Sequence, residues 1–273
     1  MTGHPVPPPS HFTVPSIARV QDYLADGMDN YLVDRELGEI LLTVAPWLPV
    51  SVRANRAHHQ RVLDCFTREL GIDQVIDLGC GLPHDGNRTL PDAVRRIVYV
   101  DSDWGVEAHA RMVLVERTGT ASLLGDLADM PALLAAEPIS RLDRGRPIGV
   151  LLHDVLPWVD DDTARTAVAA LHDWLPPGSV LSLTHATDDV DRKGQMARLS
   201  EIYETGGITF RPRTREVIEA WLGSWTHLGH GGLVSTAAWQ PPSCGAARPP
   251  VMHAPLDRSH AYAVLAMTGD RIT

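Results

Sequence analysis

Four carboxylates and two imidazoles stand at or beside the ends of short apolar runs, and that placement is where the chemistry of this chain first shows. The run at 74–78 contains Asp77 and closes on Gly79-Cys80-Gly81. A buried parallel strand that ends in an acid and a Gly-x-Gly makes a loop whose backbone can lie against a nucleotide. Asp101 closes the next run, 97–100, and Asp126 follows Leu123-Leu124-Gly125. At those two strand ends a carboxylate is placed to accept from ribose hydroxyls and from an adenine amino group, with Ser102 and Leu127 beside them as further contacts. The competing reading is that each acid caps the helix that follows it. His153-Asp154 ends the run at 148–152, and His185 follows Leu183-Thr184.

The loop itself narrows the ligand. A dinucleotide fingerprint needs Gly-x-Gly-x-x-Gly, and His84 occupies the third glycine position. A P-loop needs Gly-x-x-x-x-Gly-Lys-Ser/Thr, and Gly81 to Gly86 is followed by Asn87-Arg88. The remaining Asp-x-Gly-x-Gly suits a nucleoside ligand without phosphates, S-adenosyl-L-methionine, with Asp77, Gly79, Gly81, Asp101, Ser102, Asp126, Leu127 and His153 as its expected contacts. Methyl transfer from a sulfonium is an in-line displacement, so a protein has to align the acceptor, exclude water and, for some acceptors, remove a proton. His185, His153 and Asp154 are the candidate proton acceptors, since side chains at the ends of the fourth and fifth strands face the crevice of an open parallel sheet. Each histidine has the alternative of being a hydrogen-bonded pocket wall, and Asp154 that of capping a turn. Trp158 follows the fourth run, where an aromatic or indole-like acceptor can rest against it. No metal site is expected: His58 and His59 are adjacent rather than four apart, and His227 with His230 lacks a third ligand.

These residues need elements to carry them. Helical spacing appears at 16–24, 34–47 and 51–70, with Ser16 placed to cap the first. Apolar runs at 75–78, 97–100, 121–124, 148–152 and 180–183 then alternate with helical stretches at 104–118, 126–137 and 162–175. A repeating strand-helix unit gives a parallel sheet with helices on both faces. The last runs, 233–239 and 261–267, are joined by the Pro-rich PPSCGAARPP, which predicts an antiparallel hairpin at the sheet edge. The expected organisation is a disordered Pro-rich leader at 1–15, a helical cover at 16–71 and a core at 72–273.

Composition excludes some partners. A net charge of −10 argues against nucleic acid, which is bound mainly through Lys and Arg. No apolar run approaches a membrane span, and the start has neither the basic end nor the apolar segment of a signal peptide. Cys65, Cys80 and Cys244 show no CxxC spacing and read as reduced thiols, so a cytoplasmic protein is expected.

The stretch from Ala18-Arg19-Val20-Gln21-Asp22-Tyr23 through Asp29-Asn30-Tyr31-Leu32-Val33-Asp34-Arg35, then Arg53-Ala54-Asn55-Arg56, Asp77-Leu-Gly-Cys-Gly-Leu-Pro and Ser182-Leu-Thr-His-Ala-Thr187, resembles the actinobacterial S-adenosylmethionine-dependent methyltransferases once filed as a domain of unknown function. The resemblance covers nearly the whole chain after the leader. It implies an α/β, doubly wound, Rossmann-like seven-stranded methyltransferase sheet with an N-terminal helical cover, and tailoring of secondary metabolites. Tyr23 and Asn30, in the cover, are expected to reach the acceptor pocket as a lid does; the other reading makes that segment a capping and ion-pair joint between two helices. The expected function is methyl transfer to a small aromatic molecule at nitrogen, oxygen or carbon. The alternative is a noncatalytic metabolite-binding protein, and a homodimer is left open.

Overall fold

The computed structural model describes residues 9–229, 232–242 and 259–269. Three helices come first, α1 (Ile17–Leu24), α2 (Leu32–Val44) and α3 (Leu48–Arg68). The chain then runs β1 (Gln74–Leu78), α4 (Asp85–Arg88), β2 (Arg96–Asp101), α5 (Trp104–Val113), β3 (Thr120–Leu124), α6 (Met130–Ala135), α7 (Glu137–Ser140), β4 (Gly149–His153), α8 (Asp161–Trp174) and β5 (Val180–Ala186). It finishes with α9 (Gln195–Thr205), α10 (Arg215–Trp221), β6 (Thr226–Leu228), β7 (Val234–Ser235) and β8 (Ala261–Met267).

β1, β4 and β5 are buried at every position, as strands covered on both faces must be. The sheet order is β3-β2-β1-β4-β5-β8-β6, with β1 to β5 parallel and β8 antiparallel to β5. Order reverses between β1 and β4, and the crevice beyond their carboxyl ends is where a doubly wound sheet binds its ligand. β6 and β7 pair with the two ends of β8, at Met267 to Leu265 and at Ala263 to Tyr262, so eight strands fill seven positions. The expected hairpin exists as β7 with β8, but β8 is not at the edge: it lies between β5 and the short β6 and β7. Most of the Pro-rich loop, and Cys244 with it, falls outside the described residues; Cys65 and Cys80 are buried.

Side-chain alternation splits the core into two layers. Ile76, Val98, Val150, Leu152, Leu181 and Leu183 point toward α6, α7 and α8, while Val75, Tyr99 and Leu151 meet Val62, Leu63 and Phe66 of α3 and Val106 of α5. The expected helix at 126–137 is broken into a 3-10 turn, α6 and α7, because Pro131 and Pro138 each open a new first turn.

The N-terminal helices do two jobs. Val20, Leu24, Leu37 and Leu41 of α1 and α2 form a third cluster with Leu199 and Tyr203 of α9, above the strand ends. α3 begins in that cluster with Leu48 and ends inside the sheet's own layer, so the expected cover at 16–71 divides along α3. Residues 9–15 do not behave as the expected disordered leader: Pro9–Phe12 form a 3-10 turn, and His11 packs between Tyr31 and Trp104. Ser16 does not cap α1 with its side chain; its N–H donates to Asp34 Oδ1 at 2.9 Å and its hydroxyl to Asp103 Oδ2 at 2.6 Å.

Candidate functional site

The glycine loop after β1 is built by two backbone requirements. Gly79 has φ 67°, and a Cβ there would stand 2.4 Å from Val155 Cγ2, so only glycine lets this loop pass the one after β4. Gly81 has φ 64° with open space around its Cα, so conformation rather than room selects it. The loop's N–H groups turn inward: Gly79 and Cys80 donate to Val100 O, and Gly81 donates to Asp101 Oδ2 at 3.1 Å.

Above this loop lies a cavity of about 400 Å³, walled on one side by Gly79, Gly81, Asp101 and Ser102 and on another by Asp126 and Leu127. His153 and Asp154 close its floor, and Ile17, Ala18 and Gln21 of α1 form its roof. Of the expected cofactor contacts, Gly79, Gly81, Asp101, Ser102, Asp126, Leu127 and His153 all line it. Asp101 is pinned at both oxygens by the N–H groups of Gly81 and Asp103, which fixes its orientation. Burial lifts its carboxyl to about 6 against those bonds. Asp126 accepts from Ala128 N at 2.9 Å as the cap of the 3-10 turn and also lines the cavity.

Asp77 does not reach that cavity. It lies behind the loop on a smaller polar space of about 50 Å³ with Arg56, His59, His84 and His153. His59 Nε2 and Asp77 Oδ2 are buried 3.8 Å apart, and neither atom has a hydrogen-bond partner. Burial, and then the neighbouring Asp101, push the Asp77 carboxyl up to about 8. Burial holds the imidazoles of His59 and His84 down, to about 4 and about 3.

A third space, about 40 Å³, opens between α1, α3 and the strand ends. Its walls are rings: Trp47 stacked on His260 at 3.9 Å, and Trp158 against Phe210 and Tyr203 at 4.8 and 5.2 Å. Asp154 stands in the wall shared with the cofactor-sized cavity, and Gln21 is common to all three spaces. Asp154 holds a left-handed backbone, φ 56°, its N–H on Thr184 O and its carbonyl accepting from Trp158 Nε1 at 2.6 Å. Burial raises its carboxyl to about 7, opposed by the Gln21 amide that donates to it at 2.7 Å.

Three expected site residues are elsewhere. His185 points to the opposite face of β5 because side chains alternate: Ser182, Thr184 and Ala186 face α3 and the cover, while His185 faces α10. Its Nδ1 meets Ala186 O at 2.6 Å and its Nε2 meets Arg213 Nη1 at 3.2 Å, so both ring nitrogens are engaged. Burial lowers it to about 3. Tyr23 packs on Gly38 at the crossing of α1 and α2, where a Cβ would meet the ring at 2.5 Å. Asn30 donates to Asp22 Oδ2 and Gly27 O, closing the turn between those helices, so the joint reading holds for both. His153 is a wall of both the larger and the polar cavity; its Nε2 pairs with Ser182 Oγ at 2.8 Å and burial holds it well below its ordinary value. Trp158 lines both the large cavity and the ring-lined one. Among the described residues no group of three or more His, Cys, Asp or Glu is disposed to hold a metal, and no single helix is long and apolar enough to cross a membrane.

Gln21, Asn55, Trp47, Tyr203, Phe210 and His260 were not legible as site residues. Gln21 had a signal, since Ile17, Ala18 and Gln21 share one helical face, whereas Tyr23 is turned away from it. The rings come from distant segments and converge only through the fold.

The geometry fits a cationic nucleoside. Asp77 and Asp101 are carboxylates held above their ordinary range by burial, and Asp77 has an orphaned oxygen; a ligand bearing positive charge relieves both. Residues 8–268 match the sequence model of a family described as S-adenosyl methyltransferase. A candidate methyltransferase of Thermobifida fusca is 32% identical, with a TM-score of 0.83 over 97% of this chain and 99% of its own. A DUF574 family protein of Streptomyces avermitilis is 26% identical, TM-score 0.81, over 94% of this chain and 98% of its own. The N-methyltransferase NodS of Bradyrhizobium japonicum, in complex with S-adenosyl-l-homocysteine, shares the fold at 14% identity and a TM-score of 0.50, over 92% of this chain and 100% of its own. No curated protein matches the chain.

Proposed function

The chain belongs to the S-adenosyl methyltransferase family, and from that premise we propose that it methylates a small aromatic molecule held in the ring-lined slot, with Asp154 as the proton acceptor. It is an S-adenosylmethionine-dependent methyltransferase. S-adenosyl-L-methionine, when bound, supplies a methyl group on an already activated sulfonium. Asp101 would orient the ribose and Asp126 the adenine end, and Asp77 with His59 and His84 would meet the amino-acid end. Gln21, Asp154 and Trp158 form the partition between cofactor cavity and slot, where acceptor and methyl carbon must meet.

The observation that carries this reading is that the partition contains a single carboxylate, lifted toward neutrality and facing both spaces. A carboxylate near pKa 7 matches the task of a general base at neutral pH better than one near 4. The aromatic acceptor would rest on the rings around the slot, which at about 40 Å³ has to widen to admit one. The family resemblance supports a secondary metabolite, and three cysteines without CxxC spacing support a reducing, cytoplasmic setting.

The test is to incubate the purified chain with methyl-labelled cofactor and separate pools of aromatic amines, phenols and indoles, and to look by mass analysis for label on a product. Transfer only to non-aromatic acceptors would remove the aromatic reading. Loss of transfer in Asp154→Asn, with cofactor affinity kept, supports the proton-acceptor role.

A further inference from the structure

The slot's charge pattern says more about its occupant than its rings do. Asp154 is the one carboxylate on its wall, and no Lys or Arg lines it among the described residues. An acceptor with a carboxylate or phosphate near its reacting end would be buried against Asp154 with no counter-charge, which is costly. Of the other polar residues on the wall, Gln21 already donates to Asp154 at 2.7 Å, and Asn55 and Thr184 pair with each other at 2.6 Å. Trp47, Trp158, Tyr203 and Phe210 present ring surfaces, which attract cations. Rings around a lone buried carboxylate describe a seat for an amine.

We propose that the methyl acceptor is an amine nitrogen, which arrives as an ammonium paired with Asp154 and bears no anionic group near that end. This deepens the function proposed above and rests on it. The amine gives a proton to an Asp154 carboxylate oxygen, a transfer favoured in a desolvated site because it turns an ion pair into a neutral pair. The nitrogen lone pair then forms the N–C bond to the methyl carbon while the S–C bond breaks and sulfur keeps the bonding electrons. Charge balances: the sulfonium becomes a neutral thioether, and the product leaves as a methylated ammonium. The raised carboxyl of Asp154 is consistent with accepting that proton.

The experiment uses the full chain saturated with S-adenosyl-l-homocysteine, titrated by calorimetry and by tryptophan fluorescence with phenethylamine, 2-phenylethanol and phenylacetate. The three share ring and length and differ in charge. Phenethylamine is expected to bind roughly tenfold to a hundredfold more tightly than the alcohol, the worth of one charged hydrogen bond, with phenylacetate weakest. Asp154→Asn should bring the amine down to the alcohol while homocysteine-ligand affinity stays; Asn tolerates the left-handed backbone at this position, so the variant is expected to fold. Equal binding of all three, or preference for phenylacetate, overturns the amine and leaves the aromatic slot standing. Should none of the three bind, the aromatic reading fails, and n-butylamine against n-butanol decides the amine by itself: equal affinity for that pair overturns it.

Discussion

The side-chain amide of Gln21 donates to Asp154 Oδ2 at 2.7 Å, joining the cover helix to the loop after β4 at the partition between the cofactor cavity and the slot. Among the described residues this is the one side-chain hydrogen bond to that carboxyl, and it holds the Asp154 pKa below where burial alone would put it. Replacing Gln21 by Leu therefore raises it further. Turnover that needs the ionised carboxylate is then lost at a higher pH than in the parent, so the acid limb of the kcat/KM profile moves up and the deficit shrinks toward pH 9. A profile that falls uniformly at all pH values would mean Gln21 acts only by packing.

Cofactor binding should release protons. Without ligand the Asp77 and Asp101 carboxyls sit at about 8 and about 6, both above their ordinary range. A bound cation favours their ionised forms, so affinity for S-adenosyl-L-methionine rises with pH from about 6 to about 8 and levels above that. Calorimetry in buffers of different ionisation enthalpy measures the protons directly. Asp77→Asn should abolish the part of the dependence nearest pH 8; affinity flat across that range would mean the two acids stay protonated in the complex.

His185→Ala is expected to cost stability and spare chemistry. The imidazole joins Ala186 O to Arg213, which also holds Asp161, Leu156 O and Val159 O and so pins the loop leading into α8. Removing one buried partner costs about 1–3 kcal/mol. The pH dependence separates the roles. A histidine held at about 3 in the fold and near 6.5 when unfolded contributes stability that is present above 6.5 and lost as pH falls toward 3. The variant should lose less on acidification than the parent in denaturant titrations, with turnover per folded molecule unchanged. A drop in turnover of more than about tenfold in folded protein would restore His185 to the chemistry.

The contrast between His185 and Asp154 shows what a sequence can and cannot carry. Both are polar residues at the carboxyl ends of adjacent strands, and strand position was legible from apolar runs and the glycine loop. Which face a residue takes depends on strand register, and one residue's shift reverses it; Thr184 faces the slot and His185 does not. Asp101 and Asp126 could be placed because the loop follows directly from the strand end. Asp77 could not: its strand position was right, but burial behind Gly79 and opposition to His59 depend on how the preceding helix α3 packs back on the sheet. Trp47 and His260 illustrate the same limit, since their stacking joins the start of α3 to the start of β8. The N-terminal motif was legible as a motif and ambiguous as to role: Arg19 with Asp34 and Asp22 with Asn30 bond one another, while Gln21 reaches Asp154.

Trp47→Ala should weaken the acceptor and leave the cofactor alone. Trp47 lines the slot and not the cofactor-sized cavity, and its ring lies 18° from parallel over His260. Truncating it removes one flat wall, so acceptor KM rises while S-adenosyl-L-methionine affinity holds. Trp158→Ala, which lines both spaces, should change both constants. If the two variants shift the same constants by the same factor, the slot is not where the acceptor binds.

The joint beneath the cover gives the last prediction. Asp34 is fully buried and accepts three bonds: from Ser16 N at 2.9 Å, from Arg19 Nε at 2.7 Å and from Tyr31 N at 2.8 Å. It thereby fixes where α1 starts, how α2 is entered and, through Arg19, where Val14 lies. Asp34→Leu leaves a buried guanidinium and two backbone amides without their acceptor, and removing one member of a buried pair costs about 3–5 kcal/mol. Arg19→Met leaves the carboxylate with both amides and should cost less, although its charge is then unpaired. The order of the two losses in urea titrations is the test: an equal or larger loss for Arg19→Met would mean the ion pair, not the amide bonds, holds the joint. Because Ile17, Ala18 and Gln21 of α1 roof the cofactor cavity, Asp34→Leu should also weaken S-adenosyl-L-methionine at temperatures where the protein is still folded. Cofactor affinity unchanged in that folded variant would show that α1 keeps its place without Asp34.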